Sequence, residues 1–552
     1  MALSRVYMAT EELFMKQAVA ILGLSLCAAV VHPATTRAFC GFYVSGADAS
    51  LYNDATMVVM MREGTRTVLS MQNNYQGPPE DFAMVVPVPV VLQEENVKTL
   101  PPEIFARVDK LAAPRLVEYW EQDPCRQVVA YEMAAGSAPR SARMKSVADS
   151  AEEDKYGVTI EAQFKVAEYD IVILSAKDSG GLDKWLRKNE YNIPKGAEKV
   201  LRPYVEQDTK FFVAKVDAEK VKFQGGRAVL SPLRFHYDAP TFTLPVRLGL
   251  LNSAGKQDLI VHLLGKKQRY EVANYKNASI PTNIVVEESV RKSFGSFYDA
   301  LFERTIEKNP GAVVTEYSWD ATTCDPCPEP PLRPDELATL GADVLVPTEE
   351  DPYSDIPGVV PRRRPPPRWR SPGFVLTRLH YRYEKDGLDE DLVFRAAGPI
   401  VGGRGMPDQS GQLQERRAQA SSYNNFQGRY VILNRWEGEI ACENPVRGMW
   451  GGPPDGPTPR PFAAGNTALK GASSTTLTNQ LPGLIRTDIP ELDLEAGLVD
   501  IAPKSKPEPD TGDTGQGPTP VGCSASPGAT ASLGWIALGI VAMWLSRRRG
   551  AQ

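Results

Sequence analysis

Histidine is scarce in this chain of 552 residues: it has four, and only His236, His262 and His380 lie beyond the N-terminal apolar segment. None stands near another histidine or a cysteine in the sequence, so no zinc-ligand spacing arises. There is no Gly-x-Ser-x-Gly, no His-Glu-x-x-His and no phosphate loop. Gly402-Gly403-Arg404-Gly405 lacks a following lysine and hydroxyl and reads as a flexible loop. Positive charge is not in excess either. A net charge of −6 argues against a nucleic-acid partner. No internal repeat is apparent, and no cofactor is indicated.

What is present suits an ordinary globular body, with 42% hydrophobic and 24% charged residues. The length allows two or three domains with a substantial core. The 46 prolines gather late in the chain, so loops and linkers are concentrated there.

The N-terminus carries Met15-Lys16, an apolar run from Ala18 to Val31, and Thr36-Arg37-Ala38 with small residues where signal peptidase reads. This predicts a secretory signal over residues 1–38, handled by the export machinery and signal peptidase, with Phe39 as the mature start. Two acidic residues precede Lys16, which makes Met8 and Met15 alternative starts. A lipoprotein reading on Cys27 competes, but Leu26 is too large for the position before the cysteine. The C-terminus carries Gly522-Cys523 among small residues, an apolar segment from Ala531 to Leu545, and Arg547-Arg548-Arg549. At ~1.5 Å per residue that segment reaches about 22 Å, short of the ~30 Å hydrocarbon layer, although 528–546 extends it. The arginines place its end on the cytoplasmic side and the body outside.

This tail resembles the myxobacterial sorting signal MYXO-CTERM. The resemblance implies processing near Cys523 by a sortase-like intramembrane protease and attachment at the cell surface. A plain C-terminal membrane anchor is the alternative.

Between the ends the pattern is β-rich. Thr56 to Arg62 and Thr65 to Met71 read as a hairpin about Glu63-Gly64. Phe82 to Val90 is a strand broken by Pro87 and Pro89, which places it at an edge. Further strands are expected at 127–133, 158–166, 169–175, 210–216, 374–383, 391–395 and 429–433, with strand-like runs from Gly226 to Val286 that include Phe242 to Leu248. Leu182, Trp185 and Leu186 predict a short helix capped by Ser179, and Ala197 to Val205 a second. Val290, Phe294, Phe297, Tyr298, Leu301 and Phe302 make the apolar stripe of a longer amphipathic helix that packs on a sheet. The predicted fold class is mixed, β-rich α+β, with antiparallel, sandwich-like layers, these few helices and a C-terminal transmembrane segment. Its divisions are a β-rich subdomain over 39–308, a cysteine-bearing segment over 309–342, a proline/arginine connector over 343–372 and a second β-rich segment over 373–450. A disordered stalk over 451–527, the membrane segment over 528–546 and a basic tail over 547–552 complete the chain.

Several strings together resemble the bacterial family known as domain of unknown function 2330. They are Phe39-Cys40-Gly41-Phe42-Tyr43-Val44, Phe82 to Pro89, Leu182 to Leu186 with Tyr191-Asn192-Ile193-Pro194, and Leu244 to Gly249. The resemblance runs to about Trp450 and implies an exported location and a shared fold, with no activity or catalytic residue attached.

Once Cys27 is removed with the signal and Cys523 is reserved for sorting, Cys40, Cys125, Cys324, Cys327 and Cys442 remain. In an oxidising compartment these predict two disulfides and one leftover thiol. The preferred pairing is Cys40 with Cys125 and Cys324 with Cys327, although Cys442 can equally take a partner. Prolines 328, 330 and 331 follow Cys324-Asp325-Pro326-Cys327 and prevent the helix that thiol-disulfide enzymes place there, so a structural bridge is preferred. Arg362, Arg363, Arg364, Arg368, Trp369 and Arg370 form a basic patch suited to an anionic polysaccharide or a membrane surface. The competing reading is a linker that neutralises the acidic stretch before it. The expected role is structural or binding at the cell envelope, with a cell-surface polysaccharide or envelope protein as partner. The alternative is an exported enzyme whose site is assembled from distant residues. A deep pocket of converging histidines and carboxylates favours catalysis; an aromatic-lined groove favours binding.

Overall fold

The structure, a computed structural model, describes residues 42–44, 56–72, 83–125, 152–153, 156–345, 373–405, 412–453, 461–463 and 478–497, with short gaps at 190, 192, 194–195, 225–226, 253–255 and 385–386. The export signal, Cys40, the 362–370 patch, Cys523 and the C-terminal apolar segment lie outside these residues, as does the strand expected at 127–133.

The hairpin forms as β1 (Thr56–Glu63) and β2 (Arg66–Met71), and its turn uses Gly64 at φ +57°, a conformation that penalises a Cβ. Helix α1 (Glu103–Ala112) leads into β3 (Arg115–Glu121). After these come β4 (Leu233–Asp238), β5 (Gln257–Lys266), helix α2 (Phe294–Lys308), β6 (Ala312–Asp320), β7 (Phe374–Tyr383) and β8 (Arg429–Asn434). The largest sheet has eleven strands, with β6-β7-β5-β1-β2-β4 in its middle. Within that run only β5 and β1 pair in parallel. Such a central strand is buried on both faces, and β5 reads as a nearly unbroken apolar run accordingly.

The described residues, which end at Gly497, form one compact unit. The stretches expected as two β-rich subdomains share a sheet: β7, from the far side of the connector, lies between β5 and β6.

A six-stranded antiparallel sheet, from Phe42–Val44 through Ala83–Val88, Lys210–Val216, Tyr169–Ala176 and Val158–Val166 to Glu152–Glu153, packs over one face of the central sheet. Met84, Val86, Ile171, Ile173 and Phe212 meet Val58, Met60 and Leu69 in this core, which gives the sandwich-like layering. The strand holding Pro87 is not at the sheet's edge over its whole length. Its outer neighbour covers only Ala83–Val85, so Pro87 sits where pairing is one-sided. On the sheet's other face lie helices Ser179–Lys188 and Ala197–Glu206. The first is capped by Asp178, whose carboxylate accepts from Gly181 N at 2.7 Å, rather than by Ser179.

The remaining face of the central sheet carries α2. The stripe expected from Val290 begins as a 3-10 turn over Glu288–Lys292, and the α-helix starts at Phe294. The run from Phe242 is a strand only at Thr243–Leu244, and a 3-10 turn over Arg247–Asn252 follows Pro245. A five-stranded sheet sets β8 parallel to β3, flanked by Ile284–Val285, Trp450–Gly451 and Phe462–Ala463. Among the described residues no helix is long and apolar enough to cross a membrane.

Candidate functional site

β3 and β8 run side by side and end together, with Asn434 opposite Trp120. Beyond these ends opens a cleft of about 610 Å³, within the ~300–1,000 Å³ typical of small-ligand sites. The residues lining it include Trp120, Trp436, Asn434, Glu121, Glu288, Glu437, Arg435 and Arg486. The loop after β8 is shaped by Glu121. Burial pushes the Glu121 carboxyl up, but the backbone amides of Gly448 and Trp436, together with Arg447 and Arg435, outweigh it and hold it below the usual range. The distances are 2.9 Å from Gly448 N, 3.1 Å from Trp436 N and 2.8 Å from Arg447 Nη1. Gly438 lies against the Trp436 ring so closely that a Cβ there falls 2.6 Å from it. The Trp436 Nε1 donor is buried and has no partner among the described residues. Arg486 is fixed by a two-pronged contact to Glu287 at 2.7 and 2.8 Å.

Cys125 and Cys442 form a disulfide with a Cα separation of 5.5 Å, which ties the cleft loop to the chain leaving β3. This corrects the expected Cys40–Cys125 bridge. Pairing of β3 with β8 brings the chains that follow them together, and that proximity is invisible in a 317-residue sequence separation. Cys324 and Cys327 are joined as expected. Their loop is held by Arg115, which donates to Pro326 O at 2.8 Å, and by Gln427, which donates to Asp325 O at 2.6 Å. The next helix begins only at Pro334, so no helix terminus faces either sulfur.

A second constellation converges histidine and carboxylates, and it went unnoticed in the sequence. Arg378, His380 and Arg382 alternate along β7 and share one face beneath α2. Arg378 donates to Glu316 on β6 at 2.5 Å and to Asp109 on α1. His380 bridges Glu316 at 2.7 Å and Asp258 at 2.9 Å, with its ring stacked 3.8 Å from that of Phe302. Arg382 contacts Asp258 at 2.7 and 2.9 Å, Asp299 at 2.8 Å and Glu303 at 2.8 Å. Burial works against the His380 imidazolium, yet Glu316 and Asp258 on its two nitrogens prevail and raise its pKa. Burial likewise opposes the Glu316 carboxylate, and His380 and Arg378 hold it at about 2 all the same. His262 goes the other way: burial, reinforced by Arg378, pushes it down to about 3 and keeps it neutral. Glu316 and His380 are 0% exposed, Arg382 at the end of the array is only partly buried, and the array clamps α1 and α2 to the sheet. Among the described residues no three His, Cys, Asp or Glu side chains are grouped to hold a metal ion.

The fold and cleft define a β-rich, disulfide-bonded protein with an aromatic-lined groove and a closed ionic core. The family model described as an uncharacterized protein conserved in bacteria, DUF2330, matches residues 33–395, and the chain belongs to that family. No curated protein matches the chain. Among solved structures, a mutated baculovirus P35 after caspase cleavage aligns at 10% identity over 40% of this chain and 76% of that one, with a TM-score of 0.20, too low to support any inference. One wall of the cleft, with Trp120 and Glu121, falls inside the family match; the other, with Trp436, lies beyond it.

Proposed function

We propose that this is an exported envelope protein, anchored at the cell surface through processing at Cys523, that binds a glycan in the Trp120/Trp436 cleft. The observation that carries the reading is the pair of tryptophans that line the cleft together with acidic, basic and amide residues. Flat aromatic faces suit the apolar faces of sugar rings, and the polar groups match hydroxyls and fix orientation. The ionic core is the competing place for chemistry, but α2 covers it, so the accessible groove is favoured. Two disulfides suit an oxidising, extracytoplasmic compartment.

Titration of the exported protein with purified envelope polysaccharide, followed by tryptophan fluorescence, tests the cleft. Trp436→Ala and Trp120→Ala are each expected to weaken binding by about 1 kcal/mol or more. Unchanged affinity in the double variant sinks the reading. Cys523→Ala is expected to leave the tail unprocessed, and wild-type mass and localisation in that variant refute the anchoring step.

A further inference from the structure

Of the six arginines buried among the described residues, Arg234, Arg269 and Arg378 each form an ion pair with Asp or Glu. Arg62 has none, but it stands alone and donates to Thr67 and to the carbonyls of Thr65, Ala239 and Pro240. Arg115 and Arg429 differ from it in lying side by side. They are directly opposite each other on the parallel strands β3 and β8, and they are 0% and 3% exposed. Like charges in that register repel, and burial strengthens the repulsion. Among the described residues neither forms an ion pair. Burial lowers the Arg115 pKa against the opposing pull of Tyr317, over whose ring its guanidinium lies at 5.3 Å, and of Asp325. Burial, and then Arg115 itself, press the Arg429 pKa down to about 10.

Among the described residues, hydrogen bonding at this corner is also incomplete. Arg115 satisfies its terminal nitrogens on the carbonyls of Leu111 and Pro326, but its Nε is buried without a partner. Arg429 Nε is likewise buried and unpaired, as is the carbonyl oxygen of the Gln427 side chain. The Gly402-Gly403-Arg404-Gly405 loop closes over Arg429. Gly405, at φ +70°, lies so near that a Cβ falls 2.1 Å from Arg429 Nη1, so only glycine permits this approach. Two fixed cations, two unpaired N–H donors and a glycine-rich cover are what recognition of a small anion requires.

We propose that Arg115 and Arg429 form a site for one small oxyanion, a phosphate or carboxylate, that supplies the counter-charge no described residue provides. The burial of both side chains excludes a large or polymeric ligand, so the site is separate from the glycan cleft at the other end of the same strands and independent of that reading.

The test uses the full exported chain exchanged into chloride at constant ionic strength. Titration with inorganic phosphate, and in a parallel arm with acetate, is expected to raise the melting temperature saturably in at least one arm. In Arg429→Gln the saturable rise is expected to vanish, while the variant melts no lower than wild type in chloride, because an uncompensated charge has been removed. An equal rise in variant and wild type, or no rise beyond chloride in either arm, overturns the site. Equilibrium dialysis of the wild-type protein with labelled phosphate and labelled acetate needs no variant. One ion bound per chain in either arm supports the proposal, and none in both overturns it.

Discussion

Arg378→Met tests the ionic core most directly. The guanidinium is 1% exposed and sits between Glu316 and Asp109, both buried. With charge centres about 4 Å apart and an effective dielectric of about 20, each attraction amounts to ~4 kcal/mol, much of it offset by desolvation of the three groups. Methionine keeps most of the volume and removes the charge, leaving two carboxylates buried without their shared cation. The expected loss is ~3–5 kcal/mol at pH 7, read by equilibrium urea unfolding. The sign of the pH dependence follows from linkage. Glu316, held at about 2 in the fold, contributes stability above its ordinary range, and this is lost as pH falls through about 2. Without Arg378 that carboxyl titrates higher, so the gap between wild type and variant is widest at neutral pH and narrows through the ordinary carboxylate range. Combining Arg378→Met with Glu316→Gln and Asp109→Asn removes all three charges and is expected to cost less than the single change. A single-variant loss under about 1 kcal/mol, or a triple variant that is weaker still, refutes the reasoning.

His262 supplies a second pH signature. Its fold-depressed pKa of about 3, against an ordinary value near 6.5, favours the neutral ring, so stability is eroded as pH falls below about 6.5, by up to ~1.4 kcal/mol per unit. The raised pKa of His380 acts oppositely: its contribution is complete below about 6.5 and is lost as pH rises through the folded value. His262→Gln is expected to flatten the slope between pH 6 and 4, and an unchanged slope contradicts the assignment. Non-reducing peptide mapping is expected to recover Cys125 joined to Cys442 and Cys324 joined to Cys327; a free Cys442 contradicts the cleft geometry. Cys442→Ala is expected to cost about 2–5 kcal/mol in thermal unfolding and to weaken glycan binding as the loop loosens. Gly438→Ala pushes a methyl into the Trp436 ring and is expected to shift tryptophan emission and reduce cleft affinity while circular dichroism stays unchanged.

Local pattern was enough for much of the framework. Alternation about Glu63-Gly64 specifies the hairpin, the spacing of Leu182, Trp185 and Leu186 specifies a helix, and the aromatic stripe from Phe294 specifies the helix on the sheet. Both sites escaped for physical reasons. β6 and β3 are strands that flank cysteine-bearing loops, and their apolar runs Ala312 to Trp319 and Leu116 to Trp120 carry the signal that locates them. Arg378, His380 and Arg382, charged at a period of two, look like the solvent face of a half-buried strand. They become interior only because α2, made from residues far upstream, lies over them.

By itself the sequence determined what depends on near neighbours: periodicity, turns, the β-rich class and the Cys324–Cys327 bridge, whose ends are too close to need a fold. Tertiary structure decided what depends on strand order. Insertion of β7 between β5 and β6 merged two expected subdomains, and parallel pairing of β3 with β8 joined Cys125 to Cys442, opened the tryptophan cleft and set Arg115 against Arg429. Those juxtapositions arise from burial of apolar faces across hundreds of residues. Burial rewards any pairing that covers the faces, so no local pattern specifies which distant strands meet.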